Sequence, residues 1–200
     1  MRSRLPSAGS IRAPSAELLY AKTGRQSIAY RMAGNGPPLV FLHGFLCDSR
    51  CWMSQLTSLS DRFTVAAWDA PGAGSSPDPP EQFTITEWAE ALAEFLDAVS
   101  IDRAHIVGLS WGGMLAQEFY RLDRARVDHL VLADTYAGWK GSLPHDIVEM
   151  RRARCYHDAS RPPHEVVAEW VPADFFWTPH QSLRPRWQLL WRTSIRLGSA

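Results

Sequence analysis

The sequence predicts an α/β fold built on a doubly wound, mostly parallel sheet, and three observations carry that prediction. Short continuous apolar runs alternate with segments of helical period, the pattern of strand–helix–strand units. Four polar residues, His43, Asp69, Ser110 and Asp134, each stand just past the carboxyl end of such a run. In open parallel sheets the ligand crevice lies beyond the carboxyl ends of the strands, so these four face one edge. Finally, Gly108-Leu109-Ser110-Trp111-Gly112 joins an apolar run to a helical pattern, a place where the chain must turn sharply.

The elements follow in order. Residues 1–16 hold Arg2, Arg4 and Arg12, several serines and no acid, and are expected to be a flexible extension, with a transit-peptide reading as the lesser one. From Glu17 to Tyr30 two short strands flank the turn-prone Lys22-Thr23-Gly24-Arg25. Leu39 to Leu42 reads as a strand buried on both faces, and it ends in His43-Gly44-Phe45. A helix is expected over Trp52 to Leu59, then a strand over Phe63 to Trp68 that ends in Asp69 and a Gly/Pro-rich loop. Thr84-Ile85-Thr86-Glu87 fits a capping box, opening a helix with Trp88, Leu92, Phe95, Leu96 and Val99 on one face. A strand from Ala104 to Val107, a helix from Met114 to Leu122 and a strand from His129 to Ala133 complete residues 17–137. Residues 138–200 carry aromatic and basic residues and prolines without a clear strand, which reads as a helical lid.

Composition bounds the function. With 46% hydrophobic and 21% charged residues, 200 residues suffice for one sizeable core. Lys plus Arg equals Asp plus Glu at 21 each, so no strong field points to nucleic acid or an anionic membrane. No apolar run approaches the roughly 20 residues of a membrane-spanning helix. Three cysteines, Cys47, Cys51 and Cys155, form no disulfide framework or zinc spacing, so a cytoplasmic location and no metal are expected. Cys47 and Cys51 read as buried small hydrophobes, the alternative being a pair.

Strand, Gly-x-Ser-x-Gly and helix together are the context of a nucleophile elbow. The strained turn raises the serine hydroxyl above the sheet edge and requires small residues two positions to either side, a need Gly108 and Gly112 meet. His43-Gly44 after one strand, Asp69-x-x-Gly72-x-Gly74-x-Ser76 after the next, and Gly108-x-Ser110-x-Gly112 occur in this order. In these motifs the chain resembles the α/β-hydrolase superfamily of the serine-nucleophile type, over roughly Leu18 to Trp177. Similar chains include small esterases, enol-lactonases and cofactor-free haloperoxidase-like hydrolases. The resemblance implies Ser110 as nucleophile and the backbone N–H groups of Phe45 and Trp111 as oxyanion donors. It implies His43 and Gly44 as supports of the donor loop, Gly108 and Gly112 as supports of the elbow, and no cofactor. Asp69 is expected to stabilise its Gly-rich loop. Asp134 is a candidate triad acid, with a strand-end cap as the competing reading. The serine argues against epoxide hydrolases and haloalkane dehalogenases, which resemble this fold but attack with an aspartate.

One part of the pattern is missing. In the family a histidine follows the last strand and takes the serine's proton. Here His105 and His129 fall near strand starts, while His145, His157, His164 and His180 fall in the lid segment. The two final strands have no counterpart, which reads as a C-terminally truncated chain. A back-translation of Leu190 to Ala200 shifted by two bases gives Val-Ala-Asp-Phe-His-Pro-Ala-Gly-Phe-Arg, similar to a lid segment of such hydrolases. A frameshifted end is therefore expected. The strand from His129 would then be an open apolar edge that invites self-association. The expectation is a hydrolase of carboxylic esters or lactones, impaired by the missing histidine, and acting on a small molecule. The alternative is a non-catalytic binding protein or inactive fragment on the same fold.

Overall fold

The structure is a computed structural model that describes residues 16–162 except 46 and 81, together with 165, 166 and 169. Six strands, β1 (Leu18–Lys22), β2 (Ser27–Ala33), β3 (Pro38–Leu42), β4 (Thr64–Trp68), β5 (Ala104–Leu109) and β6 (Val127–Ala133), form one sheet in the order β1-β2-β4-β3-β5-β6. Strands β3 to β6 pair in parallel, whereas β2 runs antiparallel to both β1 and β4. The antiparallel hairpin has a local cause. The turn between β1 and β2 is too short for a crossover, and Thr23 closes it by donating its N–H to the Gln26 carbonyl at 2.9 Å.

Period-two alternation assigns the two faces of the central strands. Val40 and Leu42 of β3 point toward α2 (Ile85–Ala98) and α3 (Trp111–Leu122), where they meet Leu92, Phe95, Leu96, Leu115 and Phe119. Leu39 and Phe41 point the other way, toward Trp52 and Leu56 at α1 (Met53–Leu59). Each large side chain buried in these layers contributes about 1.5–3 kcal/mol. Helix α2 begins where the capping box placed it: the Thr84 hydroxyl accepts from Glu87 N–H, and the Glu87 carboxylate accepts from Thr84 N–H at 2.6 Å.

Several boundaries differ from the sequence expectation; β5, for example, runs on to Leu109 rather than ending at Val107, and β3 and β4 each start one residue from the expected position. Helix α3 starts at Trp111 rather than Met114, because Ser110 already acts as its N-terminal boundary and the following glycines carry no periodic signal. A 3₁₀ turn, Ser49–Trp52, precedes α1 and takes up what read as its first residue. Strand β6 starts two residues earlier than expected, with a register shift opposite the start of β5. Among the described residues β6 pairs with β5 alone, and its consecutive residues Val131 and Leu132 are 50% and 45% exposed. Neighbouring residues of a strand face opposite sides, so β6 is open on both faces at Val131 and Leu132, although Val127 is buried and Leu130 packs on the core.

The lid segment begins with α4 (Trp139–Ser142) and α5 (His145–Ala159), whose buried side chains are Val148 and Asp158. Trp170, Phe175, Phe176, Trp177, His164, His180, Trp187 and Trp191 lie outside the described residues, as do the N-terminal extension and the expected frameshifted end. No described helix is long and apolar enough to cross a membrane.

Candidate active site

Ser110 sits between the end of β5 and the first residue of α3 with φ 52° and ψ −114°. An L-residue is held in such backbone space only when its surroundings over-determine it. They do so here. Ser110 N–H donates to the Ala133 carbonyl at 2.9 Å, and the Ser110 carbonyl accepts from Gly113 N–H at 2.9 Å and from the Thr135 hydroxyl at 2.6 Å. β6 and the residues after it thus clamp the turn from the side. Thr135 belongs to no motif, and nothing in the sequence pattern marks it.

The glycines are required by contact. A Cβ on Gly108 would press on the Gly112 carbonyl and stand 2.6 Å from Gly113 Cα; one on Gly112 would stand 2.5 Å from the His43 carbonyl oxygen. Gly113 meets the Thr135 side chain in the same way. Gly44 is also at the site: a Cβ there would lie 3.5 Å from Ser110 Cβ. His43-Gly44-Phe45 is therefore brought up against the elbow. Neither Phe45 N–H nor Trp111 N–H donates to a described residue. Phe45 is 41% exposed, and the Trp111 ring stands between His43 and Trp88, at 6.3 and 5.5 Å between centroids.

His43 is almost fully buried, with both ring nitrogens engaged: Nε2 accepts from Ala70 N–H at 3.1 Å, and Nδ1–H donates to the Gly44 carbonyl at 2.9 Å. This fixes one neutral tautomer. Burial pushes the imidazole below its ordinary value, so it stays uncharged and ties the loop after β3 to the end of β4. Asp69 does similar work from the opposite loop. Its two carboxylate oxygens accept from Ser49 N–H and Ser75 N–H, each at 2.8 Å, linking the loops after β3 and β4. The Asp69 side chain also occupies the space a Cβ on Gly74 would need.

Asp134 lies beside the elbow, since Ala133 and Thr135 on either side of it hold Ser110. It has φ 44° and is exposed, and its carboxylate bonds to no described residue, so it is not a strand-end cap. The described histidines are not brought to Ser110 by any hydrogen bond. His105 and His129 bond to each other at 3.0 Å, and His145 and His157 are on α5. Cys47 and Cys51 correct the sequence reading in part: both are half-buried rather than fully buried, although Cys51 packs against the core layer of Trp52 and Leu56, and the two thiols influence each other. Their mutual influence lowers the Cys47 thiol below its ordinary value and raises that of Cys51.

The sequence profile of the alpha/beta hydrolase fold matches residues 37–192, which include every one of these motifs. The chain belongs to the α/β-hydrolase fold family. Within this family it is 33% identical over 109 residues to a soluble epoxide hydrolase of Corynebacterium sp. strain C12, covering 54% of this chain and 38% of that protein. Two solved structures are similar over 92% of this chain and 71% of their own. One is a hydrolase from Pseudomonas aeruginosa, 29% identical with a TM-score of 0.74. The other is an esterase from Thermogutta terrifontis, 25% identical with a TM-score of 0.78. The chain spans 30% and 38% of two of the curated relatives it matches.

Proposed function

We propose that the protein hydrolyses carboxylic esters or lactones through Ser110. The observation that supports this most is the backbone of Ser110 at φ 52°, a conformation held by contacts on both sides of the turn and without structural need for a serine side chain. In the proposed reaction Ser110 Oγ attacks the acyl carbonyl carbon as its proton passes to a base. The oxyanion that develops accepts from Phe45 N–H and Trp111 N–H, and the second of these opens α3, where the helix dipole favours negative charge. Collapse expels the alcohol and leaves an acyl-enzyme, which water then hydrolyses. The similar esterase from Thermogutta terrifontis supports this reading. Epoxide opening, the activity named for the Corynebacterium relative, is disfavoured by the serine at the nucleophile position.

A second reading, a non-catalytic small-molecule-binding protein or inactive chain, is favoured by one observation: no described histidine bonds to Ser110. Asp134 is the proposed acid, placed beside the elbow without a described partner. Incubating the full chain with a fluorophosphonate probe and a short p-nitrophenyl ester, beside Ser110→Ala, separates the two. Serine-dependent labelling with turnover supports the hydrolase; neither labelling nor turnover refutes it. Without a base the turnover is expected to fall by orders of magnitude, because triad members act as a unit.

A further inference from the structure

At the far end of β5 and β6 from Ser110, two imidazoles face each other across neighbouring strands. His105 Nδ1 and His129 Nδ1 are 3.0 Å apart, with ring centroids at 4.9 Å. A local irregularity in the sheet creates this contact. Ala104 pairs with Val127 and Ile106 with Leu130, so β6 carries one residue more than β5 between those pairs. Such a bulge re-aims a side chain, here His129 toward His105. Phe63 packs edge-on against His105, with ring centroids at 6.1 Å and planes at 86°. Of the nearby cations, Arg103 is paired with Asp128 and Arg126 with Asp97, each at 2.7 Å, and Arg62 lies over the Phe63 ring at 5.9 Å.

We propose that His105 and His129 form a bidentate seat for a divalent transition metal ion of the Cu(II) or Ni(II) kind. The spacing favours this class. With metal–nitrogen bonds of about 2.0–2.1 Å, two ligands at a right angle stand about 2.9 Å apart, whereas tetrahedral ligands stand about 3.3–3.4 Å apart. In the metal-free protein one Nδ1–H donates to the other Nδ1 at 3.0 Å. A metal would displace that proton to solvent, and the separation the hydrogen bond already holds is the one two ligands at a right angle need, the angle of square-planar and tetragonal sites. Among the described residues no third His, Cys, Asp or Glu joins the pair, so water completes the coordination. Both Nδ1 atoms must be unprotonated to bind, which places the remaining ring protons on Nε2 and makes binding weaken as pH falls.

The site stands apart from the proposed chemistry, roughly 16 Å from Ser110 by the rise over the five residue steps from His105. The test is titration of the full chain with CuCl2 against glycine as a competing chelator, with electron paramagnetic resonance of the bound ion. One tight equivalent with hyperfine coupling to two nitrogens is expected. His105→Ala and His129→Ala should each weaken binding roughly tenfold or more, since loss of even an outer-shell partner costs about that much. Ser110→Ala and His157→Ala should bind as the unaltered chain does. Unchanged affinity in either histidine variant overturns the assignment. So does coupling to one nitrogen only, a readout that needs no variant to fold, or an equal loss in His157→Ala.

Discussion

Replacing Ser110 by glycine is expected to make the protein more stable than replacing it by alanine. At φ 52° and ψ −114° a residue with a Cβ carries about 1–3 kcal/mol of backbone strain. Alanine keeps the Cβ and the strain; glycine removes both. Against this, glycine's extra freedom in the unfolded chain costs about 0.5–1 kcal/mol relative to alanine. The balance favours Ser110→Gly over Ser110→Ala by about 1 kcal/mol, or about 2–4 °C in Tm for a chain of this size. The hydrogen bonds to Ala133, Gly113 and Thr135 use only the backbone of residue 110, so both variants retain them. Thermal unfolding of the two variants side by side, followed by circular dichroism, gives the answer. If the glycine variant melts at or below the alanine variant, the turn stores no strain at this residue and the elbow argument fails.

Three other perturbations test separate links. Thr135→Val keeps the shape but leaves the Ser110 carbonyl without its 2.6 Å donor, and should cost about 1 kcal/mol in urea unfolding while slowing fluorophosphonate labelling. For His43, burial sets the folded value below the unfolded one, so its contribution is complete above about pH 6.5 and is lost as pH falls from there toward the folded value. Denaturant unfolding between pH 8 and 5 should show that loss, and His43→Gln should flatten it, an unchanged slope counting against the buried neutral imidazole. On β6, Val131→Lys or Leu132→Lys should shift any self-association toward monomer in light scattering, because a charge on an open edge opposes strand pairing.

The motifs were legible because each encodes a contact that admits little substitution. Gly108 and Gly112 are readable since a Cβ at either strikes backbone, and Thr84 with Glu87 because a helix start has few ways to satisfy its first N–H groups. Pairing between distant segments was less visible. Nothing in Asp134-Thr135 announces that the threonine hydroxyl holds the Ser110 carbonyl. The bulge that turns His129 toward His105 arises from register between two strands, and neither strand's own pattern contains it. Cys47 and Cys51 looked like core residues because their spacing says nothing about depth; Cys47 precedes the 3₁₀ turn and Cys51 lies within it, and both stop at the core's margin, half-buried.

The register of β3 against β5 carries a consequence for the proposed oxyanion hole. Leu42 pairs with Gly108, and the two proposed donors, Phe45 and Trp111, each lie three residues further along their own chains. The distance between the donors is thus inherited from the spacing of neighbouring strands, about 4.8 Å, a dimension common to all β-sheets. Loop sequence can tilt the two N–H groups but cannot move their anchors apart. Selection acting on such a site would find the size of the hole already set by the backbone, leaving side chains such as Phe45 and Trp111 free to choose what fills the space in front of it.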